Sequence, residues 1–263
     1  MNAKATLAPT LLGLAMFVVP SVYSQEKGVA EQTRGGAAKS EEGHSAAAEN
    51  KRFLDPKLDV ESYVKRFESD RRELFAMRNE IVAAVGVKTG QSVADVGAGT
   101  GLFTFLFADR VGPTGKVYAV DISPAFLKYI DEQANKRKLA DVVHTIHGAQ
   151  DATNLPPHSV DFVFVCATYH HFERPAKILA SMRTALRDDG HLVVIDFDRE
   201  RGGAFAQQHA RAKKEVYFSE IEAAGFVRVE TPAAPPLKDD FFAVFRVSSI
   251  PPKPLASPQT PSK

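Results

Sequence analysis

The chain has 263 residues, 44% of them hydrophobic and 25% charged, which is enough to form one large domain or two small ones with a well-buried core. Its formal net charge of +1 gives no support to a nucleic-acid-binding protein or to a protein that binds acidic membrane surfaces. Cys166 is the single cysteine, which excludes an intramolecular disulfide and a zinc site built from several thiolates.

The first 24 residues have the pattern of a secretory signal peptide. Lys4 supplies a positive charge, residues 11–19 an apolar segment, and residues 22–24 (Val-Tyr-Ser) a cleavage-like site. We therefore expect an exported protein, periplasmic or secreted, with no stable membrane insertion after the signal is removed. The alternative is an uncleaved membrane anchor, although the apolar run is shorter than the roughly 20 residues that span a bilayer.

Composition divides the rest of the chain into one domain and two flanking segments. Residues 25–50 are small, polar and without apolar periodicity, so we expect a disordered linker. Residues 250–263 are rich in proline, so we expect a disordered tail. One domain is then expected over residues 51–249.

Helical and β-branched segments alternate along this domain. In chain order the pattern predicts one or two helices over 63–85, strand 92–96, helix 102–111, strand 116–120, helix 124–137, strand 142–147, strand 160–166, helix 175–187, strand 191–197, helix 211–224, and strands 226–230 and 240–247. This alternation predicts an α/β fold with a doubly wound, Rossmann-like, mostly parallel seven-stranded sheet. The last two strands are joined by a segment too short for a crossover helix, which favours an antiparallel hairpin at the sheet edge.

Three glycines follow the first predicted strand at every second position, in the stretch VADVGAGTG. Gly97 and Gly99 permit a tight turn and a close approach of the backbone to a ligand, and Gly101 lets the next helix pack on the strand. The dinucleotide pattern G-x-G-x-x-G is not met, because the last glycine comes one residue early.

Two acidic residues indicate the kind of ligand that this loop binds. Asp95 would repel a pyrophosphate but could pair with an ammonium group. Asp121, which lies 20 residues after Gly101, could accept hydrogen bonds from both hydroxyls of a ribose. Together they favour a nucleoside with a cationic amino-acid group over a dinucleotide.

At this point the chain resembles the class I S-adenosylmethionine-dependent methyltransferases over most of residues 51–247. VADVGAGTG and VYAVDIS are similar to the first two motifs of that family, AQDATNLPPHSVDFV to the third, and ALRDDGHLVVIDF to the segment that ends in the fifth strand. Four motifs in order are far more specific than one glycine loop. The resemblance implies methyl transfer from S-adenosylmethionine to an acceptor, which we expect to be a small molecule. The sequence leaves the identity of the acceptor and the oligomeric state open.

The resemblance also implies a set of cofactor-binding residues. Asp121 would contact the ribose, Asp151 the adenine amine and Ala152 the adenine ring, while the backbone after the fourth strand would hold the methionine end. The full expected set is Asp95, Gly97, Ala98, Gly99, Gly101, Asp121, Ile122, Asp151, Ala152 and Cys166.

The stretch CATYHHFERP follows the fourth strand, at the mouth of the expected cleft. A histidine near neutrality can take a proton from an acceptor as the methyl group arrives, so His171, His170 and Tyr169 are the candidate catalytic residues, with His171 ahead of His170. The alternative is that these side chains pack or cap the next helix. No metal is expected, because adjacent histidines diverge in a strand and no spaced carboxylate accompanies them.

The segment after the fifth strand offers candidates for binding the acceptor. His209 and Arg211 could hold an anionic group of the substrate, and Arg211 would share a helix face with Lys214. A solvated charged face is the alternative.

Two other functions are also considered. One is a non-catalytic protein that binds S-adenosylmethionine or S-adenosylhomocysteine, which the export signal favours because the cofactor is made in the cytoplasm. The other is a nicotinamide-dependent oxidoreductase, which the glycine spacing and Asp95 disfavour.

Overall fold

The computed structural model of the chain describes residues 46–231 and 234–249. The expected signal peptide and proline-rich tail lie outside the described residues, as does most of the expected linker. The last five residues of that linker are described, and they are helical, as part of α1 (Ala46–Phe53). Asn50 in this helix is buried, and its Nδ2 donates hydrogen bonds to the His171 carbonyl and to Glu173 Oε1, both at 3.0 Å. The prediction of a linker up to residue 50 is therefore wrong for residues 46–50, because a distant turn of the domain anchors them.

A seven-stranded sheet forms the centre of the domain, in the order β3-β2-β1-β4-β5-β7-β6. Its strands are β1 (Ser92–Val96), β2 (Lys116–Asp121), β3 (Val143–His147), β4 (Val160–Cys166), β5 (Leu186–Phe197), β6 (Phe226–Val229) and β7 (Asp240–Val247). The pairs among the first five strands are parallel, and β7 is antiparallel to both β5 and β6. The predicted mostly parallel sheet with an antiparallel pair at its edge is confirmed.

Helices precede and connect these strands. They are α2 (Val60–Phe67), α3 (Glu73–Ala76), α4 (Arg78–Val85), α5 (Leu102–Val111), α6 (Pro124–Lys136), α7 (Pro175–Ala185), α8 (Ala204–His209) and α9 (Lys214–Ala223), with 3₁₀ turns at Gly112–Thr114 and Tyr169–His171. The region predicted as one or two helices over 63–85 contains three. The helix predicted from residue 211 begins at Lys214, and α8 was not predicted because six residues are too few to show an apolar period.

The alternation of side chains along the central strands explains their continuous apolar sequence. In β4, Val163 and Val165 pack in one core cluster with Leu179 of α7, while Phe164 between them packs in another with Phe107 of α5. Successive strand residues point to opposite faces of a sheet, so a strand covered on both faces is apolar throughout.

The order of the strands in the sheet determines where a ligand can bind. From β1 the chain continues to β2 and β3 on one side and then returns to β4 on the other, so the loops after β1 and β4 diverge at the carboxyl edge of the sheet. Ligands of open α/β sheets bind at such a point. Among residues 46–231 and 234–249, we find no helix with the length and apolar character needed to cross a membrane.

Candidate active site

A cavity of about 550 Å³ opens at this carboxyl edge, between the strand ends and the N-terminal helices. This volume lies in the range of small-molecule sites. Eleven residues that the sequence analysis selected line it: Asp95, Gly97, Ala98, Gly99, Asp121, Ile122, Ala152, Cys166, His170, His171 and His209. Four selected residues do not: Gly101, Asp151, Tyr169 and Arg211.

The three glycines of the loop after β1 have different surroundings, so each is needed for a different reason. Gly97, Gly99 and Gly101 all have left-handed backbone conformations, with φ of +76°, +55° and +81°. A Cβ on Gly97 would overlap Thr168 Cγ2, so the glycine is needed there for contact with the segment after β4 rather than for approach to a ligand. A Cβ on Gly99 would meet only the Phe67 ring, at 3.5 Å. Gly99 also lines the cavity, and a Cβ there would make only an ordinary van der Waals contact.

Gly101 is surrounded by helix side chains, not by the strand on which the sequence analysis expected the helix to pack, and it does not line the cavity. A Cβ there would lie 3.0 Å from both Ile130 Cγ1 and Phe105 Cε2. The glycine therefore permits close packing at the start of α5 and has no contact with the cavity.

Asp121 anchors the loop and lines the cavity. Its Oδ2 accepts a hydrogen bond from the Gly99 amide at 2.9 Å, and its Oδ1 accepts one from the Ser123 amide at 2.8 Å. Burial raises the pKa of this carboxyl, and the backbone amides of Gly99, Ser123 and Ile122 offset the effect only in part. A carboxylate has about four acceptor positions, so about two are left for hydroxyl groups of a ligand.

Asp95 is a second buried carboxyl in the cavity wall. Its Oδ2 accepts a hydrogen bond from Thr104 Oγ1 at 2.7 Å. Burial raises its pKa to about 7, and the negative charge of Asp121 adds to this increase while the Thr104 hydrogen bond opposes it. A cationic group bound beside Asp95 would favour its ionised form.

The segment after β3 does not bring Asp151 to the cavity. Ala149 and Ala152 form an isolated antiparallel bridge, with Gln150 and Asp151 in the tight turn between them. Gln150 lines the cavity, and Asp151 does not. Asp151 Oδ2 lies 3.1 Å from both Arg174 Nη1 and Lys177 Nζ. The hydrogen bond from Lys177 has the largest effect on the pKa of the Asp151 carboxyl, followed by the one from Arg174, and both lower it. Gln150, which the sequence analysis missed, lines the cavity instead. The expected contact of Asp151 with adenine has no support in this geometry.

Tyr169 is part of the core and was wrongly selected as a catalytic candidate. Its side chain is fully buried between the rings of Tyr217 and Phe172, and its hydroxyl donates a hydrogen bond to Glu220 Oε2 at 3.0 Å. Burial, followed by the charge of Glu220, raises the pKa of Tyr169 well above its usual value. The phenol therefore stays protonated and away from the cavity.

His170 is held by a buried carboxylate. Asp196 lies at the end of β5. Its Oδ2 accepts a hydrogen bond from the backbone amide of His170 at 3.0 Å, and its Oδ1 lies 2.8 Å from the ring Nδ1 of His170. Burial by itself would raise the pKa of Asp196, but the charge and hydrogen bonds of His170 and the Phe197 amide lower it below its usual range. Nδ1 is thus committed to Asp196, which leaves Nε2 for a ligand in the cavity that the ring lines.

This arrangement favours His170 over His171 as a proton acceptor, the reverse of the sequence-based order. A carboxylate that orients an imidazole is the usual support of a catalytic histidine. The sequence places Asp196 at the end of the fifth strand near the cleft, because β5 follows β4 in the sheet and the ends of parallel neighbours meet at one edge.

His171 also faces the cavity, contrary to the expectation that adjacent histidines diverge. The two histidine ring centres are 4.1 Å apart, because residues 169–171 form a 3₁₀ turn rather than the end of a strand. His171 Nδ1 lies 3.4 Å from Glu49 Oε2, and its ring packs edge-on against Phe53 at 5.7 Å. The sequence analysis found no spaced carboxylate near the two histidines, but the structure brings Glu49 to them from α1, more than 120 residues earlier in the chain.

The two acceptor-site candidates are separated by the structure. His209 lines the cavity and stacks on Phe205 with ring centres 3.7 Å apart. Arg211 instead forms a bidentate pair with Glu220, at 3.0 and 2.7 Å, and lies over the Tyr217 ring. Arg211 precedes α9, so it does not share a helix face with Lys214. Its role is to neutralise the carboxylate that Tyr169 contacts.

Further charged residues of the cavity wall were missed by the sequence analysis. Arg52, Arg66, Arg71 and Arg72 come from α1 and from the α2–α3 region. Asp240, the first residue of β7, has an oxygen, Oδ1, without a hydrogen-bond partner among the described residues. Burial raises the pKa of Asp240 to about 8, and the charge of Asp196 adds to the increase.

Comparisons with known proteins agree with this architecture. A family model described as a methyltransferase domain matches residues 87–231, more than half of the chain. The ubiquinone/menaquinone biosynthesis C-methyltransferase UbiE of Hahella chejuensis is 31% identical over 114 residues, which are 43% of this chain and 46% of that relative. The chain thus spans less than half the length of this curated relative.

Solved structures show the same fold. A SAM-dependent methyltransferase from Aquifex aeolicus is 27% identical with a TM-score of 0.59, and the match covers 72% of this chain and 98% of that one. A TehB-like SAM-dependent methyltransferase from Corynebacterium glutamicum is 16% identical with a TM-score of 0.53 and the same coverage, and shows a likeness of fold alone.

The residues of the cavity fit S-adenosylmethionine. Asp121 keeps acceptor positions for ribose hydroxyls, and Gly99 presents its backbone without a side chain in the way. Asp95 offers a buried carboxyl to an amino group, and Gln150 offers an amide at the rim where Asp151 was expected. These are the residues that would hold the cofactor.

Proposed function

Since this chain belongs to the methyltransferase-domain family and uses S-adenosylmethionine as its methyl donor, we propose that it methylates a small molecule bound between the 3₁₀ turn Tyr169–His171 and helix α8. The observation that supports this proposal most strongly is the His170–Asp196 pair in the wall of the cofactor cavity.

Aromatic rings shape the acceptor end of the cavity. The Phe197 ring centre lies 5.0 Å from that of His170 and 5.6 Å from that of Phe205, which stacks in turn on His209. Flat apolar walls of this kind favour an aromatic or otherwise apolar acceptor. The C-methyltransferase relative acts in quinone biosynthesis by its name, and an acceptor of aromatic character is consistent with these walls.

The chain's own residues would then have two tasks. S-adenosylmethionine supplies a methyl group on a positively charged sulfur, so the protein has to align an acceptor atom with that group and exclude water. Asp121 and Asp95 hold the donor, while the aromatic walls position the acceptor. His170 Nε2 takes the proton of the acceptor, and Asp196 keeps the other ring nitrogen protonated and stabilises the imidazolium that results.

The test combines turnover with cofactor binding. Release of S-adenosylhomocysteine is measured with a panel of phenols and quinols, and His170→Ala is expected to lower turnover by roughly a hundredfold, as for the loss of a general base. Its affinity for S-adenosylhomocysteine should stay within a factor of a few. His158→Asn, which removes an exposed imidazole from a residue with φ of +50°, is the matched control and should behave like the wild type.

The possible results separate three conclusions. Wild-type turnover in His170→Ala would contradict the base assignment but leave methyl transfer intact, because an acceptor already ionised needs only alignment. Cofactor binding without turnover on any acceptor would favour the non-catalytic alternative. Absence of cofactor binding by the wild type would contradict the proposed function itself.

A further inference from the structure

Three potential metal ligands meet at one side of the cavity. Glu49 of α1 and the adjacent His170 and His171 each offer one ligand atom, and these atoms all lie within 4.8 Å of one another. One pair of these atoms, Glu49 Oε2 and His171 Nδ1, is 3.4 Å apart. The side chains are 17%, 5% and 17% exposed, so the cluster lies in the wall of the cavity rather than on the open surface.

The spacing is close to that of a coordination sphere. Bonds from zinc to histidine nitrogen or carboxylate oxygen are about 2.0–2.2 Å, so neighbouring ligand atoms around one ion are about 3–3.5 Å apart. The Glu49–His171 pair is already within this range. The His170 ligand atom lies within 4.8 Å of the other two, so it has to approach by up to about 1.3–1.8 Å, a displacement that side-chain rotation can supply.

The residues around the cluster are those that support a metal ligand. Asp196 contacts His170 Nδ1 and so directs the remaining nitrogen, Nε2, to a ligand, as carboxylates do behind metal-bound histidines. Asn50, next to Glu49, bonds to the His171 carbonyl and ties α1 to the histidine turn. Two carboxylates, Glu49 and Asp196, would compensate the charge of a divalent ion in this partly buried place.

We propose that Glu49, His170 and His171 form a binding site for a divalent transition-metal ion of the borderline class, such as Zn²⁺ or Co²⁺. Two imidazoles and one carboxylate suit such ions better than Ca²⁺ or Mg²⁺, which prefer oxygen ligands. Three protein ligands leave coordination positions open toward the cavity, as in catalytic rather than structural sites.

Metal binding and base catalysis by His170 exclude each other in one molecule. Nε2 of His170 has one lone pair, which either coordinates the ion or accepts a proton. An ion at this site would therefore inhibit transfer to any acceptor whose proton His170 must take. The site itself does not depend on the proposed function, since it is defined by protein ligands alone.

The test uses the full-length chain without a polyhistidine tag, freed of metal with a chelator and titrated with Co²⁺. Visible absorption bands of coordinated cobalt should rise to saturation at one equivalent. Glu49→Gln and His171→Gln each remove one ligand and should weaken Co²⁺ binding at least tenfold, whereas His158→Asn should bind as the wild type does. Circular dichroism and thermal melting without metal check that the variants are folded.

Two results would overturn the proposal: no saturable binding by the wild type, or equal affinity in the wild type, Glu49→Gln and His171→Gln. Should either variant fail to fold, X-ray absorption of the zinc-loaded wild type decides, because the proposal requires imidazole scattering from two histidines. Calorimetric binding of S-adenosylhomocysteine is measured in parallel. In the wild type, absence of a saturable cobalt signal together with normal cofactor binding contradicts only the metal site. A normal cobalt signal without cofactor binding contradicts only the proposed function.

Discussion

The replacement Asp121→Asn removes the negative charge of the side chain that anchors the glycine loop and leaves the size and shape of that side chain almost unchanged. The native carboxylate accepts hydrogen bonds from the amides of Gly99 and Ser123 with separate oxygens. Asparagine has one oxygen, so its amino group has to face one of these two donors. An unsatisfied buried amide costs about 1–3 kcal/mol of folding free energy, part of which the relief of a buried charge offsets.

The expected effect on cofactor binding is larger. Two charge-assisted hydrogen bonds to ribose hydroxyls are lost or weakened, which we expect to cost about 2–4 kcal/mol, or roughly 30- to 1000-fold in affinity. Isothermal titration calorimetry with S-adenosylhomocysteine measures this, and chemical denaturation measures stability separately. The matched control is Asp151→Asn, an acid of the next loop that pairs with Arg174 and Lys177 instead of lining the cavity.

The control should retain affinity within a factor of about three. Unchanged affinity in a folded Asp121→Asn variant would refute the placement of the ribose at this carboxyl. A large loss in Asp151→Asn would show that Asp151 reaches the adenine after all.

Three further predictions concern stability. Gly97→Ala should lower the free energy of unfolding by about 2–5 kcal/mol in denaturant titrations, because its Cβ would overlap Thr168 at a φ of +76°; near-native stability would contradict the packing argument. Tyr169→Phe should cost about 1 kcal/mol through the lost hydrogen bond to Glu220 but leave turnover unchanged, and a large fall in turnover would restore Tyr169 as a catalytic candidate. Asp240 has a pKa of about 8 in the fold against an ordinary value of 3.8, so the folded state holds a proton that the unfolded state releases and stability falls as pH rises from about 4 to 8. Asp240→Asn should therefore stabilise the protein more at pH 8 than at pH 5 in thermal melts, and an identical gain at both pH values would contradict this.

The sequence by itself determined the architecture and the position of the site. Periodicity, β-branched runs and turn residues are local signals, and the rules that connect parallel strands then leave few topologies. The sheet, its antiparallel edge pair and the place of Asp121 at the carboxyl end of β2 followed from these signals. The cavity at the ends of β1 and β4 followed as well, because parallel strands end at one edge.

Only the tertiary structure decided which side chains enter the cavity. His170, rather than His171, has the buried carboxylate, because Asp196 approaches from β5, 26 residues later. Asp151 lies outside the cavity, where it pairs with Arg174 and Lys177, and Tyr169 lies in the core with its hydroxyl on Glu220. The 3₁₀ turn at Tyr169–His171 and the tight turn closed by the Ala149–Ala152 bridge set the directions of neighbouring side chains, and sequence spacing does not predict these directions. Their partners lie on other elements, so the direction of each side chain is set by packing and ion pairing across the fold rather than by the local chain.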